Sequence, residues 1–338
     1  MNSVTVGAGV DLWTAAGELP VEPRGLHAVE RGWQETNCYV DLWLSLLAAR
    51  GLEARAGLAF TVTQDFEGDQ FTFFKFPLYD IDRLYGLAVQ ELAIYDELDE
   101  HIEQQVARGN TVLVEMDAFY LPDTRATTYR REHSKTTIGI DRIDRLGGRL
   151  GYFHNAGYFT LDGEDYAGVF RKTDALRNDA DVLFPYVEFV KQTRATLGGE
   201  ALASASVVQL REHLASRPAA NPVSAFRAAF PAHLDTLIAR GDAYFHLYAF
   251  NTLRQLGANF ELLGQYVDWL GESGVQTAPT IGAACKTIAG EAKVLQFRMA
   301  RAMARRRPDA CNDCFDLLER AYDDAIPALA VEFGVSRG

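Results

Sequence analysis

Cys38 is the residue whose type and position most invite chemistry. It stands in Trp33-Gln34-Glu35-Thr36-Asn37-Cys38-Tyr39-Val40-Asp41-Leu42-Trp43, and Val40, Trp43, Leu44 and Leu47 recur at helical spacing as far as Gly51. The spacing predicts a helix that begins at Cys38. A thiol there meets the free N–H groups and the positive end of the helix dipole, which favour the nucleophilic thiolate. The same N–H groups, helped by the side-chain amide of Gln34 or Asn37, would stabilise an oxyanion. The competing reading is a small buried apolar cysteine, the commoner fate of this residue type.

Seven histidines are available as partners. His133 precedes the apolar run KTTIGIDRID, and His154 adjoins Asn155 in LGYFHNAGYF; strand alternation sends His154 and Asn155 to opposite faces. His27 lies near the N-terminus, His101 on a polar helix, and His213, His233 and His246 in the second half. Asp117 and Tyr120 end the apolar run TVLVEMDAFYL, where a carboxylate at a strand end would suit a substrate ammonium as readily as it would form a turn. The block YFHLYAFNTLRQLGANFELL is rich in aromatics and amides, and from it His246 and Asn251 are substrate-binding candidates roofing a site. Cys311-Asn312-Asp313-Cys314 has no second pair and no neighbouring histidine, so helix packing is expected and no metal site. The basic stretch Met299–Arg307 reads as a solvated helix end, with the docking of an acidic carrier protein as the alternative.

The elements that must position these residues differ between the halves. Strand candidates are Ala56–Val62, Gln70–Leu78, Thr111–Leu121, KTTIGIDRID, RLGYFHNAG and YAGVFRK, with a polar-faced helix over Leu92–Arg108. From about Ala201 four long stretches carry 3.6-residue periodicity. The expectation is an α+β domain over residues 1–195 and a helical-bundle domain over 196–338. Hydrophobic residues make up 48% of the 338, and the net charge of -13 argues against a nucleic-acid footprint. No run approaches the about 20 apolar residues of a membrane helix, and the first twenty residues lack the pattern of a signal peptide. Four cysteines are too few for a disulfide scaffold at this length, so reduced thiols and a cytoplasmic location are expected. No phosphate loop, dinucleotide fingerprint or metalloprotease motif is present.

The block NCYVDLWLSLLAARGLEARAG resembles the nucleophile helix of the papain-like and transglutaminase-like superfamily, where a cysteine opens a helix that closes at a glycine. Over roughly Trp33–Phe170 the chain is also similar to the papain-like acyltransferase of butirosin biosynthesis, which depends on an acyl carrier protein, and to a bacterial family sharing ETNCYVDLW, EHSKTTIGID and YFHNAGYF. The resemblance implies an antiparallel sheet under the nucleophile helix, with His133 as general base and Asn155 orienting its imidazole. Asparagine replaces the aspartate usual in the butirosin-type enzymes, and Gln34 lies four residues before the cysteine where the papain-type oxyanion glutamine lies about six before. The implied activity is movement of an (amino)acyl group from a carrier-protein phosphopantetheine thioester to an amine through an acyl-enzyme. The phosphopantetheine arm of the partner carrier protein would be the donor, with no bound cofactor. The alternatives are a cysteine hydrolase (amidase, peptidase or thioesterase) and a non-catalytic carrier-protein-binding pseudoenzyme.

Overall fold

The computed structural model describes residues 31–173 and 184–336, together with Leu26. The N-terminal stretch read above for a leader, and His27, lie outside the described residues. Helix α1 runs Cys38–Ala49, and its start is set by two reciprocal caps. Asn37 is extended (φ -147, ψ 159), and its Oδ1 accepts the Val40 N–H at 2.9 Å. The Asp41 carboxylate reaches back to the Thr36 N–H and hydroxyl, both at 2.8 Å. From Tyr39 to Leu47 the helix is buried on every side. Gly51 then stops it in the left-handed conformation (φ 70), with the Leu52 N–H on the Leu47 carbonyl at 2.9 Å.

Under α1 lies a sheet of six strands in the order β1-β6-β2-β3-β4-β5, every paired neighbour antiparallel. The strands are β1 (Leu87–Glu91), β2 (Thr111–Asp117), β3 (Lys135–Asp144), β4 (Arg149–His154), β5 (Gly157–Asp162) and β6 (Val187–Gln192). Strand alternation divides the side chains cleanly. Leu113 and Phe153 join the core under α1, whereas Val112, Val114, Ile138, Ile140, Leu150 and Tyr152 form a second core on the opposite face. Helices α3 (Leu98–Ala107) and α4 (Gly163–Val169) cover that second face. Gly139 lets α1 approach β3: a methyl there would stand 2.9 Å from Leu42 Cδ1 and 3.3 Å from Leu113 Cδ2. Tyr39 reaches Glu188 on β6 at 3.3 Å, and Ser45 donates to the Asn155 carbonyl at 2.8 Å. The helix thus crosses the sheet from β6 to the β4–β5 turn.

Several expected elements differ. Ala54–Thr63 is a buried 3-10 run instead of a strand, because a short, mostly apolar segment carries no period to separate the two. Gln70–Leu78 contributes one isolated bridge, Phe66 with Phe71, before α2 (Leu78–Tyr85) begins. YAGVFRK belongs to α4 and the turn after it, where the Tyr166 and Phe170 rings meet at a tilt, centres 4.7 Å apart, across one helical turn. The expected helix over Leu92–Arg108 is preceded by β1 and begins only at Leu98.

The helical part comprises α5 (Gly199–Ala215), α6 (Pro222–Arg240), α7 (Asp242–Asn251), α8 (Leu253–Glu272), α9 (Pro279–Ala304) and α10 (Asn312–Glu332). It shares one apolar core with α1 and the 3-10 run. Buried polar groups seal the seam. The Ser206 hydroxyl donates to the Ala56 carbonyl at 2.8 Å, the Asn259 amide to the Thr61 carbonyl at 2.8 Å, and the Gln64 amide to the Gln255 carbonyl at 2.9 Å. No helix among the described residues is long and apolar enough to cross a membrane.

Candidate functional site

The first turn of α1 opens onto a cavity of about 760 Å³ at the ends of β2, β3 and β4. Cys38 lines it and is partly exposed, whereas Cys285, Cys311 and Cys314 are buried. Burial pushes the thiols of Cys285 and Cys311 up to about 12 and raises that of Cys314 as well. Cys38 is therefore the one cysteine with both access and a helix terminus. The backbone N–H groups of Cys38 and Tyr39 precede the first intrahelical bond and have no partner among the described residues. They are free to meet an oxyanion. The Asn37 side chain is not, because its oxygen caps Val40 and its nitrogen donates to the Phe74 carbonyl at 3.1 Å. Gln34 is exposed and lines a neighbouring cleft together with His246, outside the Cys38 cavity.

Between the two competing histidines, the structure brings His154 to this cavity and leaves His133 out. His154 is 2% exposed at the end of β4. Its Nδ1 lies 2.5 Å from Asp123 Oδ2, and its Nε2 lies 2.8 Å from Thr136 Oγ1. Asp123 also accepts the Tyr152 hydroxyl at 2.5 Å, and burial, followed by the charge of Asp123, raises that phenol well above its ordinary value. With Asp123 accepting at Nδ1, the neutral ring carries its proton there and presents the Nε2 lone pair to the Thr136 hydroxyl. Tyr152 and His154 lie two apart, so both point away from α1 and both reach Asp123. The ring meets the cavity from the end of the sheet, through Thr136, and Cys38 Sγ makes no hydrogen bond to it.

His133 is exposed and stacks on Phe119 with ring centres 4.4 Å apart. Its Nδ1 lies 2.6 Å from Asp117 Oδ2. This pair and Tyr120 line a second cavity of about 530 Å³. The expected triad therefore divides. Cys38 and Asn155 share one cavity, and His133 lies in the other. Asn155 is the first residue of the β4–β5 turn, in the left-handed conformation (φ 47), with its carbonyl on Ser45. It forms a turn, and the partner of the cavity histidine is Asp123. Of the substrate-binding candidates, Asn251 lines the Cys38 cavity and donates to the Leu247 carbonyl at 2.8 Å; Asp117, Tyr120 and His246 lie elsewhere.

The charged groups around Cys38 are mostly paired with each other. Arg254 holds Glu35 at 3.1 Å, and Lys135 holds Glu115 at 2.7 Å. Lys75 sits 4.1 Å from the centre of the Tyr39 ring. Asp123 and Thr136 escaped sequence reasoning because nothing in Leu121-Pro122-Asp123 ties it to a histidine 31 residues later. The one usable signal was Tyr152 at two residues before His154, the strand spacing for a shared face. Among the described residues no group of His, Cys, Asp and Glu is placed to hold a metal ion. No curated protein matches the chain. Residues 22–192 match the model of the DUF1839 N-terminal domain, and residues 199–331 match that of the DUF1839 C-terminal domain. A cysteine-bearing helix on an antiparallel sheet, sealed by a helical second part, is therefore the architecture of this member: the chain belongs to the DUF1839 family.

Proposed function

We propose that this protein is a papain-like thiol acyltransferase with Cys38 as its nucleophile and His154–Asp123 as its base and orienting carboxylate. The observation that carries the reading is a partly exposed cysteine beside two helix amides without a partner among the described residues, on the wall of the cavity that the buried imidazole–carboxylate pair reaches through Thr136. In the acylation step the Cys38 proton passes to His154 Nε2 through the Thr136 hydroxyl. The thiolate then adds to a thioester carbonyl, and the Cys38 and Tyr39 amides hold the resulting oxyanion. Collapse breaks the carbon–sulfur bond to the donor, whose thiolate takes the proton from His154. An amine then attacks the acyl-Cys38, its proton goes to His154, and the departing Cys38 thiolate recovers that proton. The donor is the phosphopantetheine thioester of a carrier protein, which the resemblance of the cysteine block supports.

The test is intact-mass spectrometry after incubation with an acylated carrier protein. The reading expects an adduct on the wild type, none on Cys38→Ala, and release of the adduct as an amide when amines are added. Release as the free acid at the same rate with or without amine would make the protein a hydrolase. A second reading, binding without catalysis, is favoured by the missing Cys38–histidine hydrogen bond. Carrier-protein binding that survives Cys38→Ala with no adduct on the wild type would establish it and overturn the acyltransferase.

A further inference from the structure

Glu188 is a buried acid of the Cys38 cavity held only by neutral donors among the described residues. It lies on β6 opposite Leu113, on the face of the sheet that carries α1, and it is 4% exposed. Its two oxygens accept from neutral phenols, Tyr186 at 2.8 Å and Tyr39 at 3.3 Å. Among the described residues no Lys, Arg or His nitrogen comes within 4.0 Å of it. Lys75, which lines the same cavity, sits 4.1 Å from the centre of the Tyr39 ring. A carboxylate this deep, satisfied only by neutral donors, is an unfavourable arrangement unless a cation arrives. Here the arrival route is built, since Glu188, Tyr39 and Tyr186 all line the open cavity that holds the nucleophile. The ring faces add attraction for a cation.

We propose that Glu188 binds the ammonium group of the acyl moiety transferred through Cys38, so that the substrate is a cationic, amino-substituted acyl thioester. This rests on the acyltransfer reading above. The charge belongs to the acyl moiety and not to the acceptor, because an attacking amine must be neutral and a buried carboxylate beside it would hold it protonated. Tyr39 is the residue after the nucleophile, so its hydroxyl ties Glu188 to the turn that carries the thiol.

The experiment uses two matched series of N-acetylcysteamine thioesters: glycyl, β-alanyl and 4-aminobutyryl against acetyl, propionyl and butyryl. Formation of the Cys38 adduct is followed by intact mass. One member of the cationic series is expected to react about ten- to a hundredfold faster than its neutral match, the span of a charge-assisted hydrogen bond in a dry site. Glu188→Gln, which keeps the phenol contacts, is expected to abolish that preference, so that matched members of the two series react at equal rates. Glu188→Asp, with its carboxylate drawn back by one methylene, is expected to keep the preference and move the optimum to the longer chain. That shift decides the matter if Glu188→Gln fails to fold. Equal rates in the two series on the wild type, or a preference that survives Glu188→Gln, would overturn the inference and leave acyl transfer standing. Absence of any adduct would overturn acyl transfer. In that case binding of β-alaninamide against propionamide to Cys38→Ala protein decides the inference: a charge preference removed by Glu188→Gln upholds it, and equal binding overturns it.

Discussion

Replacing Asp123 by Asn separates a catalytic pair from a merely structural one. Asp123 accepts two hydrogen bonds inside the protein, from Tyr152 and from His154, each at 2.5 Å. Asn offers one acceptor oxygen and one NH2 group, so one of the two buried partners loses its acceptor. Leaving a buried donor unsatisfied costs about 1–3 kcal/mol, which in a chain of this size lowers the melting temperature by several degrees. The effect on chemistry should be larger. An Asn NH2 turned to Nδ1 forces the imidazole proton onto Nε2, the atom that must accept the Cys38 proton. General-base catalysis contributes about 10²–10⁴-fold, and most of that should vanish from the acylation rate. The assay pairs a thermal melt with single-turnover Cys38 acylation, and His154→Ala serves as the reference for complete loss of the base. A variant that melts lower yet acylates at the wild-type rate would refute the assignment and make the Asp123–His154–Tyr152 network a structural strut. A His133→Ala variant should acylate normally, since that ring belongs to the other cavity.

Native protein treated with iodoacetamide at about pH 8 should lose only the Cys38 thiol, because burial raises the other three; peptide mapping checks this, and labelling of Cys285 before Cys38 would contradict it. Gly139→Val should destabilise the fold by about 1–3 kcal/mol through overpacking against Leu42 and Leu113, visible as a lower denaturant midpoint. Asp99 is wholly buried and holds Lys172 at 2.5 Å. Burial alone would raise its carboxyl, but hydrogen bonds from Lys172 and Tyr166 prevail and hold it below the ordinary value. A carboxyl depressed in the folded state adds stability that is present above its unfolded pKa of about 3.9 and is lost as pH falls toward the lower folded value. Acid titration followed by circular dichroism should therefore show Asp99→Asn less stable at neutral pH and with a shallower acid limb; parallel curves for the two proteins would contradict this.

The legibility of the sequence follows how local each determinant is. The start of α1 was readable because its signals, Asn37 as cap and the apolar spacing after Cys38, lie within one turn of each other. The run Thr111–Leu121 was readable as a strand because its buried, β-branched core is continuous over Thr111–Asp117. Strand β6 was missed because Val187–Gln192 mixes two glutamate or glutamine positions and a lysine into a short stretch whose partners, β1 and β2, are about 70 to 100 residues distant. With β6 went Glu188, the residue on which the substrate inference depends. The site divided along the same line. Cys38 at the start of α1 was a local feature, while the partner of His154 is set by a tertiary contact between a 3-10 turn and a strand end.

Choosing between His133 and His154 shows why sequence order misled. Both stand at the same end of the sheet, because Lys135 opens β3 where His154 closes β4, so either can be threaded into a Cys–His–polar order. What separates them is burial. His133 is exposed, and a proton transferred to it would be exchanged with bulk water; its bond to Asp117 is screened for the same reason. His154 and Asp123 are excluded from solvent, where a carboxylate fixes a tautomer effectively. The buried ring makes no hydrogen bond to Cys38, and Thr136, which holds its Nε2, lines the cavity that Cys38 lines. Thr136→Val is the substitution that isolates this link. It conserves shape, leaves His154 on Asp123, and removes only the hydroxyl. If the proton travels through Thr136, Thr136→Val should lower the acylation rate about 10²-fold or more while the melt shifts by about 1–3 kcal/mol. Acylation at the wild-type rate in Thr136→Val would show that His154 does not receive the Cys38 proton by this path.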